Sequence, residues 1–412
     1  MNPNTDIIYF TLFPWDHPYS SVSLSFAKEF AKNNRVFYIN HPFTYKDFLS
    51  RYQEDAVQNR KKELWKGKMR YDDTPHLPEN VICIHPPNTI PINFLPKGRL
   101  YDRIFDYNNK IILQTIAQVI QDYDLKDFIY LNCFNSFYAG ALPPSMGAQL
   151  SIYQCIDDML EEEYTAKHAH RLEEEAIAAS DLTFVTSTNL YELKKHLNPQ
   201  THILHNAADI QIFRRTTEEA FDKPRELAGI DSKVIGFMGN LNEYRVDYAL
   251  VRKIALQHND KTLLLVGPLN SNDYKEYGLD QLPNVILTGG KDINELPQYL
   301  QYMDVCLIPF KINKQTKSVY PLKINEYLAA GKSVVSTSFS DDIRSFESQI
   351  RLAKNHEAFI EYIDEAILDN SEETIKARIA LAETNTWTAR VQQFWDTVKP
   401  KLSSVPSANL IC

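Results

Sequence analysis

Lys323 and Glu326, three residues apart, are a cation and a carboxylate whose types and spacing would fit a nucleotide. They lie in Asp304–Thr337, where an apolar strand (Val305–Ile308) leads through a polar loop into a helix. That helix opens near Pro321 and stops at Gly331, and a second strand (Ser333–Thr337) follows at once. Proline suits the first turn because its missing N–H would be an orphan donor there. Glycine suits the left-handed residue that ends a helix. At about 100° per residue, Ile324, Tyr327, Leu328 and Gly331 share a face suited to packing on a sheet, and Lys323 and Glu326 point the other way. Free amides at the helix start would hold a pyrophosphate, with the cation beside it and the carboxylate one turn deeper on ribose hydroxyls. The alternative is a solvated Lys–Glu pair on an ordinary βαβ unit.

Asp157 and Asp158 form a second candidate pair, directly after the strand-like run Leu150–Cys155. Acids at a strand's carboxyl end are placed for work in a cleft, but they equally suit a turn and helix cap. Trp15, Asp16 and His17 follow the first strand-like run, Ile7–Phe13, at an end where open sheets bind ligands. His168 and His170 are two apart and would diverge on a helix. No carboxylate or histidine cluster has metal-ligand spacing, so no metal is expected. Arg60–Arg70 carries six basic residues and one acid around Leu64 and Trp65. It reads as a solvated loop, with contact to an anionic acceptor or a membrane surface as the alternative.

The elements that must position these groups repeat one pattern. Strand, helix and strand at Ile7–Phe13, Val22–Ala31 and Arg35–Asn40 open a parallel α/β sheet. Further strands at Asn80–His85, Phe128–Cys133, Leu150–Cys155 and Leu182–Thr186 continue it, with a long helix at Asp102–Tyr123. After a polar stretch, Arg214–Asp231, a second α/β series begins at KVIGFMG and runs through TLLLVGP and NVILTGG to the stretch around Lys323. A helical tail near Glu372–Val398 closes the chain, interrupted at Asn385–Trp387.

A chain of 412 residues exceeds what one hydrophobic core usually serves, so two domains are expected. The formal charge of −9 argues against a general nucleic-acid binder. Four of the five cysteines sit in apolar runs without a C-x-x-C pair, which fits a reducing compartment. The N-terminus lacks the basic start of a signal peptide, and no apolar run approaches the ~20 residues of a membrane span. These features point to the cytoplasm, with any membrane contact peripheral, at the inner face.

YQCIDD, SDLTFVTS, LHNAADIQIF, IGFMGNLNEY, LLLVGP, LPQYLQYMDVCLIPF and PLKINEYLAAGKSVVST occur in this order. Together they resemble retaining glycosyltransferases of the GT-B fold, family 4-like enzymes that build bacterial surface polysaccharides from nucleotide sugars. The resemblance implies two doubly wound, Rossmann-like parallel-sheet domains facing across a cleft. Residues 1–208, joined by a crossing helix at about 385–412, would be the acceptor domain, and 209–384 the donor domain. It implies that Glu326 binds ribose, that amides around Leu322 and Lys323 beside Tyr320 hold pyrophosphate, and that Gly239 lets backbone approach the phosphates. Asn240 and Arg245 would complete that loop, and Gly289, Gly290 and Ile293 would lie near the base.

Three positions depart from the pattern. Ser318 stands where many relatives carry a second glutamate, and Asn240 follows Gly239 where a basic residue is common. Asn132-Cys133-Phe134-Asn135 ends a strand that often ends in histidine. The reaction expected is metal-independent hexosyl transfer without a cofactor, from a nucleotide-diphosphate sugar to a glycan or lipid-linked acceptor. Lys323 or Arg245 would stabilise the departing diphosphate, and Asp158, Asp157 or His17 would orient or deprotonate the acceptor. Two other classes remain: an isomerase resembling nucleotide-sugar 2-epimerases, and a non-catalytic nucleotide-sugar-binding scaffold.

Overall fold

Apolar strands that alternate with amphipathic helices can bury both faces only as helix-covered parallel sheets, and the chain builds two of them. The computed structural model describes residues 5–16, 21–51, 55–58, 65–158, 163–269 and 272–403. The chain divides into two compact units, Met1–Leu204 with Val391–Cys412, and His205–Arg390.

The first unit holds β1 (Asp6–Thr11), β2 (Val36–Asn40), β3 (Arg70–Tyr71), β4 (Val81–His85), β5 (Phe128–Cys133), β6 (Leu150–Cys155), β7 (Leu182–Val185) and β8 (Thr201–Ile203). Their order is β3-β4-β2-β1-β5-β6-β7-β8. All neighbours are parallel except β3, which pairs antiparallel with β4 through Arg70–His85. This two-residue edge strand was not expected, because a run so short carries no periodicity. The helix Arg99–Asp122 buries Ile112, Ile116 and Val119, and Glu163–Ala179 follows β6. The last helix, Trp387–Leu402, brings Phe394 to 4.9 Å and Trp395 to 6.1 Å from the Phe30 ring.

The second unit holds β9 (Val234–Met238), β10 (Thr262–Val266), β11 (Val285–Leu287), β12 (Val305–Ile308), β13 (Val334–Thr337) and β14 (Arg351–Ala353). The order β11-β10-β9-β12-β13-β14 is a doubly wound sheet whose direction of winding reverses at β9. The helix Leu322–Ala329 joins β12 to β13 and buries Ile324, Tyr327 and Leu328, the face assigned from spacing. It ends as expected, with Gly331 at φ +68°. Pro321 is the N-cap instead of the first helical residue, and it contributes no side-chain cap. The loop before it also holds a short helix, Lys314–Lys317, that hydrophobic spacing does not reveal. An Asn313–Thr316 capping box starts that helix.

Four cysteines, Cys83, Cys133, Cys155 and Cys306, are buried and free. Among the described residues no helix is long and apolar enough to cross a membrane, and no group of His, Cys, Asp or Glu could hold a metal ion.

Candidate functional site

In an open α/β sheet the crevice at the winding reversal, outside the carboxyl ends of the strands, is where ligands bind. In the second unit that point lies between β9 and β12. Gly239 follows β9 directly, with φ +154°. A side chain there would meet Phe237 at 3.1 Å and Lys323 Cε at 3.4 Å. Backbone and cation are therefore brought together across the reversal. The Lys323 ammonium lies 2.8 Å from Glu326 Oε2, and the two side chains are 28% and 13% exposed. The pair is half-sheltered and lies at the start of the helix that follows β12.

Helix and strand end are locked to each other. The Met238 amide donates to the Tyr327 hydroxyl at 2.8 Å. At the neighbouring strand end, a Cβ on Gly267 would fall 1.8 Å from the Gly239 carbonyl oxygen. The Gly267 amide in turn donates to Gly289 O at 3.1 Å. Gly239, Gly289 and Gly290 thus share the carboxyl edge of β9, β10 and β11, with Ile293 half-buried against the core behind them. The Leu322 amide is already used by Tyr320 O at 2.9 Å, whereas the Lys323 amide has no backbone acceptor among the described residues. Lys323, more than Leu322, supplies the available donor.

Asn240 is exposed and Arg245 half-buried on the loop after β9. That loop is stitched to the one after β12: Lys311 N donates to Arg245 O at 2.8 Å, and Asn313 Nδ2 to Tyr244 O at 2.9 Å. Tyr320 is 4% exposed and stacks on His205 at 4.5 Å, so it supports the helix start from behind. Ser318 is fully buried.

In the first unit the winding reverses at β1. Asp157 Oδ1 accepts the Asp158 amide at 2.9 Å, the turn-forming role, and both acids are half-buried. Burial opposes the charge on Lys194, and Glu173, with a smaller contribution from Asp158, more than offsets it and raises its pKa. Glu173 itself is fully buried, its Oε2 2.6 Å from Lys194 Nζ. His17 lies outside the described residues, and so does Arg60–Leu64 of the basic segment.

Two groups in this unit were missed from the sequence. The first is a clamp on the loop after β1. Asp72 Oδ2 accepts from Trp15 Nε1 at 2.8 Å and lies 2.9 Å from His85 Nε2. Asn40 Oδ1 accepts the Trp15 amide at 3.2 Å. A signal existed: the neighbouring parallel strands VFYIN and VICIH both end in a polar residue, and Asn40 and His85 meet there. The second is His41. Asn135 lies just past β5, in the stretch that departs from the histidine common in relatives, and the His41 ring lies 3.1 Å from its Nδ2. The ring also stacks on Tyr138 at 5.7 Å. Burial pulls its pKa down to about 4, with Asn135 opposing, so the imidazole is neutral near pH 7. The adjacent Phe134 holds φ +59°, a left-handed backbone that non-glycine residues rarely adopt.

Known proteins resemble this chain both in sequence and in fold. Residues 232–369 match the family described as Glycosyl transferases group 1. A Bacillus subtilis (strain 168) protein, provisionally named teichuronic acid biosynthesis glycosyltransferase TuaH, is 31% identical over 199 residues, 47% of this chain and 49% of that protein. The match thus spans about half the length of that relative. Among solved structures, sucrose-phosphate synthase from Thermosynechococcus elongatus superposes with TM-score 0.66 at 13% identity, over 97% of this chain and 100% of that one. The α,α-trehalose-phosphate synthase of Burkholderia vietnamiensis gives 0.68 at 8%, over 98% and 99%. Anabaena HepE, solved in complex with UDP-glucose, gives 0.62 at 13%, over 96% and 99%. At these identities the structures establish the fold, GT-B.

Proposed function

We propose that this chain, which has the GT-B fold and resembles group 1 glycosyl transferases over residues 232–369, is a retaining glycosyltransferase of bacterial cell-surface polysaccharide synthesis. It moves a hexose from a nucleotide-diphosphate sugar to a glycan or lipid-linked acceptor, without a metal or cofactor. The observation that carries the reading is the convergence of Gly239, Lys323 and Glu326 at the winding reversal of the second sheet. The likeness to a teichuronic acid glycosyltransferase favours transfer over epimerisation or a scaffold role.

In this reading Glu326 takes the ribose hydroxyls, and the base lies against Gly289, Gly290 and Ile293. The backbone at Gly239 and Asn240 lets the diphosphate approach. The Lys323 amide and ammonium, with Arg245, stabilise the charge that develops as the diphosphate leaves. The acceptor hydroxyl passes its proton to the departing phosphate, so no strong protein base is required. Asp158, Asp157 and His17 are candidates to orient the acceptor, and neutral His41 joins them as a group able to hold a sugar hydroxyl. The protein works in the cytoplasm, with peripheral contact at the membrane.

Differential thermal stability tests the donor assignment. UDP comes first, because HepE structures contain UDP or UDP-glucose, followed by the guanosine and thymidine diphosphates. Ligand at ~100 times its dissociation constant adds about 2.7 kcal/mol, and Glu326→Ala removes the shift. No shift with any nucleotide overturns the donor site. Product formed with acceptor, and no epimer formed from donor alone, separates transfer from isomerisation.

A further inference from the structure

The helix Arg99–Asp122 buries one face and leaves an unusual stripe on nearly the opposite side. Leu100, Arg103, Tyr107 and Lys110 follow one another at offsets of three, four and three, which at about 100° per residue keeps them in a single row. Leu100 and Tyr107 are 62% and 54% exposed, and Phe94, just before the helix, is 65% exposed. Lys97 and Arg99 fill the turn between Phe94 and the row, and both are exposed.

A second element adds charge to the same place. Lys167, on the helix Glu163–Ala179, donates to Phe94 O at 3.0 Å, and His168 Nε2 lies 3.0 Å from Leu95 O. Tyr101 stacks on His168 at 3.8 Å. The Lys167 and His168 contacts bring these cations beside Phe94 and Leu95; in keeping with this, burial first and then Lys167, Lys97 and Arg171 lower the His168 imidazole below its usual range. Arg171 faces Asp102 at 3.7 Å, and Asp106 flanks the row. Lys97, Arg99, Arg103 and Lys110 have no ion-pair partner among the described residues.

We infer that this face, with Phe94, Leu100 and Tyr107 as apolar anchors among Lys97, Arg99 and Arg103, docks on an anionic lipid surface. The argument is charge complementarity against the grain of the molecule. A chain of formal charge −9 is repelled by an anionic membrane except where cations gather, and here they surround exposed apolar side chains. Long basic side chains reach headgroups while neighbouring apolar side chains enter the acyl boundary. A soluble polyanion would need the cations but not the three protruding hydrophobes.

Flotation with vesicles of phosphatidylcholine containing about 30% phosphatidylglycerol tests this, against vesicles of phosphatidylcholine alone. Wild type is expected to float with the anionic vesicles and to lose binding as salt rises from about 0.1 M to about 0.5 M. Lys97→Ala with Arg99→Ala and Arg103→Ala should weaken binding roughly fivefold per cation. Leu100→Ser with Tyr107→Ser should weaken it comparably, while Lys253→Ala with Lys354→Ala and Lys376→Ala should not. These positions are exposed, so each variant should keep the wild-type melting midpoint. No wild-type binding, or equal binding by the first two variants, overturns the proposal. Loss in the charge variant with full retention in the Leu100/Tyr107 variant overturns it too, in favour of a soluble polyanion. The assay contains no nucleotide sugar, so its outcome is independent of the transferase reading.

Discussion

The Tyr327 hydroxyl accepts the Met238 amide hydrogen at 2.8 Å. Through that bond the helix that carries Lys323 and Glu326 is registered against the strand end that precedes Gly239. Tyr327 is fully buried, and burial pushes its phenol well above the ordinary range, so it stays a neutral donor and acceptor at any working pH. The same hydroxyl lies 3.3 Å from Met238 O and can donate there.

Tyr327→Phe should keep the ring packing and orphan the buried Met238 amide. A loss of about 1–3 kcal/mol is expected, read as a lower midpoint in urea at unchanged slope. Nucleotide affinity should fall with it, because the register between Gly239 and Lys323 is released. Undiminished stability would mean that the amide finds another partner.

Lys323 and Glu326 should separate by what they do in turnover. A half-sheltered pair of this kind contributes no more than about 1 kcal/mol to folding, so Lys323→Ala should barely move the melting midpoint. If the ammonium stabilises the leaving diphosphate, kcat should drop by about 10²–10³ with little change in KM for the donor. Glu326→Gln should instead raise KM for the donor. Steady-state kinetics with the sugar nucleotide found by thermal shift checks both. A large folding defect with unaltered kcat per folded molecule would make the pair structural.

Much of the second unit was legible because its signals are local. Gly331, the apolar face of Ile324, Tyr327 and Leu328, and the Lys323–Glu326 spacing each lie within one helix. The unread parts depend on distant partners. Nothing near Tyr327 in the sequence says that its hydroxyl meets Met238, 89 positions away. His41, just after β2, reaches Asn135 across 94 residues, a pairing that no local pattern announces. Pro321 fell one place outside the helix because proline's fixed φ suits the N-cap as well as the first turn. The pair Asp157–Asp158 reads as acid chemistry or as a turn from sequence, and the 2.9 Å bond from the Asp158 amide supplies the turn.

Gly267 and Gly236 offer a contrast between backbone and side-chain crowding. Alanine at Gly267 would place its Cβ 1.8 Å from the Gly239 carbonyl oxygen, whereas at Gly236 it would meet the Met303 Sδ at 2.1 Å. A methionine can change rotamer, so Gly236→Ala should cost about 1–3 kcal/mol. The Gly239 backbone has no such freedom, so Gly267→Ala should cost more and also displace the loop after β9. Thermal melts with and without nucleotide test the order. A milder effect at Gly267 would show that β9 and β10 can part without loss.

His41 should give the first unit a defined acid sensitivity. Its folded pKa of about 4 lies below the ordinary 6.5 because burial disfavours the imidazolium. Between those values the unfolded chain binds a proton that the folded chain does not. Stability is therefore fully present above about pH 6.5 and is lost as pH falls towards 4, with a limiting slope of ~1.4 kcal/mol per pH unit. Below 4 both states carry the proton and this contribution flattens. His41→Gln keeps a hydrogen-bonding group beside Asn135 and removes the titration. Urea denaturation from pH 7 to pH 4 should then show a shallower decline in the variant than in the wild type. Parallel curves would mean that the imidazole is hydrated enough to charge in place, and His41 would then be a cation in acid rather than a neutral partner for a hydroxyl.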